Sequence, residues 1–263
     1  MLLNSVILLL REVLEAAVLI SVLMALSRNL SLGWRWLYMA LPLAALLIWL
    51  VASMLGVITD ALDGTGQEVV NATLQLLIFL MVLSMVGFSA GYPVISSSTG
   101  RILRVLMAGA VVCALIREGT EIYVYIAGFA VSEDFRTAVF TGSAIGAGIG
   151  VSLGVLLYAA LRGLDGERGY IAGIILLCLI GAGMMIQATL LLEQVDWLPM
   201  GQPVWDSSQL IDEQSVAGEL LYAVFGYEST PGSIQVVAYL LSIAAVVAAY
   251  FCGKAYWSSH ETG

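Results

Sequence analysis

The chain is poor in charge and in the residues from which soluble binding sites and covalent frameworks are built. Only 11% of its 263 residues are charged, and it contains one histidine and three cysteines. A soluble domain is about one-quarter charged, so this composition excludes a soluble globular enzyme and a disordered chain. The cysteines form no CxxC pair and indicate no disulfide framework. A single histidine, His260, cannot form a histidine metal site alone.

Basic residues are scarcer than acidic ones, and this excludes another class of partner. The chain has 10 Lys and Arg against 19 Asp and Glu, which gives a formal net charge of −9. Nucleic-acid binding needs clustered basic side chains that neutralise phosphates, and the sequence has no such cluster. We therefore expect no nucleic-acid partner.

What the chain has in abundance is apolar sequence, since 60% of its residues are hydrophobic. A helix needs about 20 apolar residues to cross a bilayer. Seven stretches meet this length and predict an all-α polytopic membrane protein with a single transmembrane domain over 1–263. The first stretch is too long for a signal peptide and lacks its basic start. The predicted spans are 2–26, 34–58, 69–90, 105–131, 137–161, 170–192 and 234–252.

The basic residues predict the orientation of these spans, because loops on the cytoplasmic side retain Lys and Arg. One side of the predicted topology carries seven of the ten basic residues, whereas the other carries Arg136 alone. The N-terminus is therefore predicted outside and the C-terminus inside. Twelve acidic residues fall on the outer side, which gives that face a negative potential that attracts cations. The seven inner basic residues are Arg28, Arg35, Arg101, Arg104, Arg162, Arg168 and Lys254.

Two predicted spans carry charges near their middle, where charge is costly. The pattern R-E-x-x-E occurs in span one and again 106 residues later in span four. Glu12 lies about 15 Å into its span, or about half of a ~30 Å hydrocarbon core. Each central charge costs roughly 2.5–3.5 kcal/mol on insertion scales. The residues are Arg11, Glu12, Glu15, Arg117, Glu118 and Glu121.

The spacing within each motif places its charges on one helix face, since residues three and four apart are neighbours. One arginine can pair with one glutamate, which leaves a second carboxylate uncompensated in each motif. Spare carboxylate oxygens suit a hard cation. The structural alternative is an ion-pair network that only joins two helices. Because buried ion pairs stabilise a fold poorly compared with apolar packing, we favour a functional role.

The motifs also indicate an internal duplication. Three spans separate the two copies, so the two halves enter the membrane in opposite directions. We predict an inverted 3+3 repeat, with repeat one over about 1–95 and repeat two over about 101–192, followed by an outer acidic segment, 193–233, and a seventh helix, 234–252. Transporters with this architecture bind substrate at the midplane between the repeats. Four glutamates could then converge on one ion.

Other features of the spans have weaker interpretations. Glycines recur every fourth residue in span five and predict a close-packing face: Gly142, Gly146, Gly150 and Gly154. Gln75 and Gln187 are predicted mainly as interhelical hydrogen-bonding residues, with a secondary place on the ion path as the alternative. Tyr123 has the same alternative, against a packing or interface role. Residues 216–225 are too short to span a membrane and predict an interfacial or re-entrant helix, with a solvated linker as the alternative.

The paired motif resembles the R-E-G-L-E signature of the high-affinity iron permease family, also called oxidase-dependent iron transporters. The resemblance extends over the whole chain and includes the stretch from Asp196–Pro199 through Pro203–Ser208 to Gly226-Tyr227. Val13 and Thr120 depart from the signature, but neither removes a charge. The resemblance implies that the six charged motif residues form the iron path. It makes Glu12, Glu15, Glu118 and Glu121 the expected metal-binding residues, with Arg11 and Arg117 as supporting ion-pair residues.

The resemblance also implies iron uptake into the cytoplasm, with iron as transported substrate and no permanently bound cofactor. It implies a periplasmic or extracellular partner that delivers or oxidises iron, of the cupredoxin-like, multicopper oxidase or peroxidase type. Fungal members have a long tail that this chain lacks, and this favours a bacterial inner-membrane protein. The sequence leaves open whether the protein forms a homo-oligomer.

Without the family resemblance, the residues leave three other functions open. The first is transport of another cation such as manganese, or proton-coupled exchange, because carboxylates do not distinguish iron from manganese. The second is an intramembrane enzyme with paired carboxylates, for which the sequence offers no nucleophile, so we expect no enzyme activity. The third is an iron-binding membrane sensor, against which the lack of a sizeable cytoplasmic domain counts.

Overall fold

The computed structural model describes residues 2–129, 133–164, 166–213 and 215–260. Within these ranges the regular secondary structure is α-helical, apart from a 3-10 turn at Ala61–Gly64 and one isolated bridge between Pro203 and Gly232, and irregular segments connect the helices. The prediction of an all-α protein is confirmed. The helices are α1 (Leu2–Asn29), α2 (Arg35–Ser53), α3 (Leu55–Asp60), α4 (Gly66–Ser89), α5 (Ser97–Phe129), α6 (Glu133–Arg162), α7 (Gly166–Gln194), α8 (Val216–Phe225) and α9 (Ser233–His260).

Six of the described helices are long and apolar enough to cross a membrane, namely α2, α4, α5, α6, α7 and α9. Helix α1 has 28 residues and would extend about 42 Å at the helical rise. It is not among the six because Arg11, Glu12, Glu15 and Arg28 leave it no membrane-length stretch that is low in charge, whereas α5 is long enough to contain one besides its motif.

The helix ends differ from the predicted spans by more than four residues in three places. One is the end of the last helix, because α9 continues to His260 whereas the predicted span ends at 252. The second predicted span continues to residue 58, whereas α2 ends at Ser53 and the short α3 follows a break at Met54. The 19 residues of α2 already extend about 28 Å, which is enough to cross the hydrocarbon core. Helix α5 begins at Ser97, before the predicted start at 105, because Ser96 caps it by accepting a hydrogen bond from the Thr99 amide. The predicted end of this span at 130–131 lies outside the described residues.

The helices pair across the two predicted halves of the chain. Helix α1 packs most extensively on α6, and α5 packs on α2. Helices α4 and α7 contact each other. Helix α4 also contacts α5, and in the same way α7 contacts α1. The two helices with the R-E-x-x-E motifs, α1 and α5, touch at the centre of this arrangement. Helix α9 lies outside, against α4 and α7.

The glycine face predicted in span five is the surface of α6 that contacts α1. A Cβ on Gly146 would overlap the Val6 carbonyl oxygen, and one on Gly154 would come within 2.7 Å of the Ala17 side chain. Residue numbers increase together along this contact, so α1 and α6 run parallel. The absence of side chains on this face lets the two backbones approach closely, and the prediction of a packing face is confirmed.

Burial is concentrated in the central helices. Fully buried apolar residues come mainly from α1, α4, α5 and α7 and include Leu19, Leu23, Ile78, Met85, Leu103, Met107 and Leu177. The outer helices instead expose large apolar side chains, such as Leu46 and Trp49 on α2 and Leu240 on α9. Apolar side chains on the perimeter and backbone hydrogen bonds satisfied within helices are what a lipid environment requires.

The segment after α7 folds back onto the bundle. Ser215 caps α8 by accepting a hydrogen bond from the Gly218 amide, and the helix ends at Gly226, whose φ is +65°. Gly226 packs directly on Gly183 of α7, where a Cβ on Gly226 would come within 2.5 Å of the Gly183 Cα and one on Gly183 would come within 3.1 Å of the Gly226 nitrogen. Helix α8 therefore contacts α1 and α7 within the bundle rather than forming a solvated linker.

Candidate metal site

Three carboxylates from the two motif helices meet at the centre of the bundle. Glu12 comes from α1, whereas Glu118 and Glu121 come from α5 and share one face because they are three residues apart. One oxygen from each lies within 4.8 Å of the other two. The i, i+3 spacing of the sequence and the contact between α1 and α5 together produce this group.

Two oxygens of this group lack any hydrogen-bond partner although they are buried. These are Oε2 of Glu12 and Oε2 of Glu118, and both side chains are almost fully buried. A buried polar atom without a partner is costly, so such an atom in a native fold calls for a ligand. Carboxylate oxygens are acceptors, and the ligand they can take is a cation or a hydrogen-bond donor.

Arg117 lies beside the three carboxylates and compensates part of their charge. Its Nη1 donates to Glu118 Oε1 at 2.6 Å and to Glu15 Oε2 at 2.8 Å. Its Nε lies 3.7 Å from Glu121 Oε1. Only 6% of this side chain is exposed, so the arginine is a fixed counter-ion inside the fold.

Glu15 occupies a different position from the other three motif glutamates. Its side chain is fully buried and accepts hydrogen bonds from Arg117, from Gln187 Nε2 at 3.1 Å and from Arg11 Nε at 3.4 Å. The sequence suggested that four glutamates converge on one ion. In the structure three of the four carboxylates lie together, and Glu15 lies apart from them with both of its oxygens occupied by donors.

Arg11 faces the outer segment rather than the carboxylate group. Its guanidinium lies 3.9 Å from the centre of the Tyr222 ring, and its Nε lies 3.7 Å from Glu219 Oε2. With 35% of its side chain exposed, Arg11 is far more accessible than Arg117. Burial raises the pKa of Glu219, and the Arg11 charge opposes that shift. The cation–π contact and the ion pair join α8 to α1.

The three residues that the sequence suggested as secondary members of the ion path differ in burial. Gln75 and Gln187 are buried and bond to each other, with Gln75 Nε2 donating to Gln187 Oε1 at 2.7 Å. This confirms the predicted interhelical hydrogen bond. Tyr123 is 47% exposed on α5.

Sequence reasoning missed Asn71, which donates from Nδ2 to Glu121 Oε1 at 3.0 Å. A signal for it exists in the sequence, because Asn71-Ala72-Thr73-Leu74 and Gln187-Ala188-Thr189-Leu190 share the pattern amide-A-T-L. The contact of Tyr222 with Arg11 was also missed. Nothing in the local sequence marks that contact, since it depends on how the outer segment folds back.

A second set of acids surrounds the end of α7 on the outer segment. Glu193 is buried and its Oε2 accepts a hydrogen bond from Gln235 Nε2 at 2.7 Å. The amide of Ser229 donates to Glu213 Oε1. Burial, followed by the nearby carboxylates of Glu213 and Glu193, raises the pKa of Glu228 to about 7. Glu228 therefore retains its proton to a higher pH than an ordinary glutamate does.

The charges and donors of the central group define its chemistry. Two arginines and four glutamates carry a net charge of −2 when all are ionised. Oxygen donors with excess negative charge bind hard cations and repel anions. Glu121, whose side chain is 30% exposed, is the most accessible of the three clustered carboxylates. The arrangement can therefore accept a cation that is exchanging water for carboxylate oxygens.

Comparison with known proteins gives one finding. The family described as the iron permease FTR1 family matches residues 2–259, which is nearly the whole chain. No curated protein and no solved structure matches the chain.

Proposed function

Because the chain belongs to the iron permease FTR1 family, and is thus a transmembrane iron transporter, we propose that Glu12, Glu118 and Glu121 bind the iron ion during its uptake into the cytoplasm. The observation that carries this proposal is the pair of buried, partnerless oxygens within the three-carboxylate group. A cation placed among these oxygens satisfies both of them. The iron ion is substrate here and not a resident cofactor, and the protein acts as a transporter and not as an enzyme.

The other motif residues have supporting roles in this proposal. Arg117 reduces the net charge of the group, so that the ion is held weakly enough to leave. Glu15 anchors Arg117 through their 2.8 Å hydrogen bond and does not bind the ion in this conformation. Arg11 holds α8 in place through Tyr222 and Glu219.

The proposed architecture has seven spans in an inverted 3+3 repeat, with the N-terminus outside and the C-terminus inside. The helix pairing supports the repeat, since exchanging α1 with α5, α2 with α6 and α4 with α7 maps the main packing pairs onto each other. The pair α1 and α6 becomes α5 and α2, and the pair α4 and α5 becomes α7 and α1, whereas the minor contacts of α6 with α5 and α7 have no counterparts. The length of α1 and its central place in the bundle support its counting as a span. The distribution of basic residues supports the orientation. Rocking of one repeat against the other would then expose the site to the inside.

The outer segment 193–233 belongs to the entry side in this proposal. Its acids attract cations, and α8 covers the side of α1 from which Arg11 projects. A delivering or oxidising protein of the periplasm or cell surface would hand over iron at this segment, and the host membrane would be a bacterial inner membrane.

Uptake by purified protein in liposomes tests the proposal. Iron would be offered as Fe(II) and Fe(III) separately, with Glu12→Gln, Glu118→Gln and Glu121→Gln compared with the wild type. Glu167→Gln is the matched control, because Glu167 is an exposed acid at the start of α7. We expect each of the three variants to lose most of its uptake while the control retains it. Uptake by the triple variant at the wild-type rate would refute the proposal.

A second candidate substrate has support from the donor set. The three carboxylates provide only oxygen ligands, which suit Mn²⁺ as well as iron. Competition by Mn²⁺ against iron in the same liposomes measures this preference. Stronger uptake of Mn²⁺ than of either iron ion would make manganese the main substrate.

A further inference from the structure

Two buried amide side chains hold corresponding glutamates of the two motifs. Asn71 on α4 donates to Glu121, and Gln187 on α7 donates to Glu15. Glu15 and Glu121 are the last residues of their respective R-E-x-x-E motifs. Each repeat therefore supplies, from its third long helix, an amide for the motif glutamate of the other repeat.

The local sequence around the two amides supports this correspondence. Each amide begins an amide-A-T-L tetrad, and the two tetrads are 116 residues apart. The threonine of each tetrad behaves in the same way, since Thr73 Oγ1 donates to Val69 O and Thr189 Oγ1 donates to Met185 O, both at 2.7 Å. The two tetrads thus repeat in sequence, in backbone contact and in the motif position that they contact.

The hydrogen-bond direction is fixed by chemistry. An ionised carboxylate can only accept, so each amide must present its nitrogen to its glutamate. In Gln187 this leaves the amide oxygen to accept from Gln75 Nε2 at 2.7 Å. Asn71 uses its nitrogen on Oε1 of Glu121 alone.

The surroundings of the two glutamates then differ. Glu15 is fully buried and is bound by two arginines in addition to Gln187. Glu121 is partly exposed, and the nearest arginine nitrogen is 3.7 Å away, beyond a hydrogen bond. Among the described residues, Asn71 supplies the hydrogen bond that orients the Glu121 carboxylate. A neutral donor orients that carboxylate without cancelling the charge that attracts a cation.

We propose that Asn71 is a positioning residue for cation binding, which holds the Glu121 carboxylate toward Glu12 and Glu118, whereas Gln187 keeps Glu15 in the structural ion pair. This inference rests on the proposed function of the three carboxylates. It assigns the two amide-A-T-L tetrads to different tasks. The asparagine of the first tetrad positions a carboxylate for cation binding, and the glutamine of the second stabilises the fold.

The affinity of the purified protein for Fe(II) and Mn²⁺, measured by titration calorimetry without oxygen, tests this inference. Asn71→Leu removes the donor and keeps a similar volume, and we expect it to weaken binding by roughly tenfold, because a hydrogen bond to a charged group is lost. Thr73→Val is the matched control, since Thr73 is exposed on the same helix, and its affinity should equal that of the wild type. Gln187→Leu should have its main effect on the melting temperature, which should fall, and only a small effect on the metal affinity.

A double-variant cycle separates positioning from general damage. If Asn71 acts through Glu121, adding Asn71→Leu to Glu121→Gln should cause no further loss of affinity. Independent losses that add in the double variant would overturn the inference, as would an unchanged affinity in Asn71→Leu. If Asn71→Leu does not fold, Asn71→Ser is measured in the same cycle with the same two outcomes. Failure of the proposed function would look different, because the wild type itself would then bind neither metal.

Discussion

The two R-E-x-x-E motifs have the same letters and spacing but different neighbours. In the first motif the arginine is partly exposed and faces α8, whereas the final glutamate is fully buried and saturated with donors. In the second motif the arginine is buried among carboxylates and the final glutamate is partly exposed. Arg11 and Arg117 thus contact different helices, as do Glu15 and Glu121.

In the proposed site the two copies of the motif have different tasks. The first motif contributes one proposed ligand, Glu12, and one anchor, Glu15. The second contributes two proposed ligands, Glu118 and Glu121, and Arg117, the counter-ion that contacts glutamates of both motifs. Donors from α4, α7 and α8 create the difference, so substitutions that affect only one motif can test it.

The largest expected contrast is between the two arginines. Arg117→Leu leaves the buried Glu118 without its counter-ion and Glu15 with only the more distant Arg11, and breaking such a buried pair costs about 3–5 kcal/mol. We expect this variant to lose most of its folded protein in detergent, as measured by size-exclusion chromatography and thermal melting. Arg11→Leu, the matched change, should remain folded because its guanidinium is partly in solvent. Equal losses in both variants would contradict the comparison.

The next contrast is between the two final glutamates. Glu121→Gln should remove iron uptake while the melting temperature stays near that of the wild type, because Glu121 is partly exposed. Glu15→Gln should instead lower the melting temperature, since Arg117 then loses a charge-assisted hydrogen bond worth roughly 1.5–3 kcal/mol. Liposome uptake and thermal melting on the same preparations measure both effects. A reversed pattern would mean that Glu15, and not Glu121, serves the ion.

The packing of the two motif helices provides a third contrast. Gly146→Ala on α6 places a methyl group against the backbone of α1, where overpacking costs about 1–3 kcal/mol. Gly119→Ala on α5 meets the end of the Ile48 side chain, which can move, so its cost should be smaller. Gly148→Ala is the control, because a Cβ there contacts nothing within 4 Å. Gly146→Ala should have the lowest melting temperature of the three variants. A low melting temperature for Gly148→Ala would show that contact with the α1 backbone is not the cause of the destabilisation.

The smallest expected effect lies in the outer segment beside Arg11. The pKa of Glu228 is raised to about 7, so the folded state favours its protonated form. Its ionisation disfavours folding above pH 7, and stability is regained as the pH falls toward the ordinary value of 4.5. Glu228→Gln should therefore stabilise the protein at pH 8 by on the order of 1 kcal/mol, after allowance for solvent screening. The difference from the wild type should shrink as the pH falls from 7 to 5 and disappear below the ordinary value of 4.5, and a constant difference across this range would exclude titration as its cause.

Much of the fold could be predicted because lipid imposes simple rules on sequence. The long apolar runs predict the helices, since a chain in lipid must satisfy its backbone hydrogen bonds internally. Helix ends were less predictable, as α5 shows, because a serine cap extends it through Arg101 and Arg104 beyond the apolar run. Capping depends on local hydrogen bonds, which hydropathy does not describe.

The sequence by itself determined that six charged residues lie inside apolar runs and that those of each motif share a helix face. Charges repeated at three- and four-residue spacing inside apolar runs leave few other interpretations, because each one costs free energy in lipid. Only the tertiary structure decided that Glu12, Glu118 and Glu121 meet, that Glu15 stands apart, and that Asn71 and Tyr222 join the network. The physical reason is that these contacts connect helices distant in sequence, and the donors available to each carboxylate are fixed only when those helices pack.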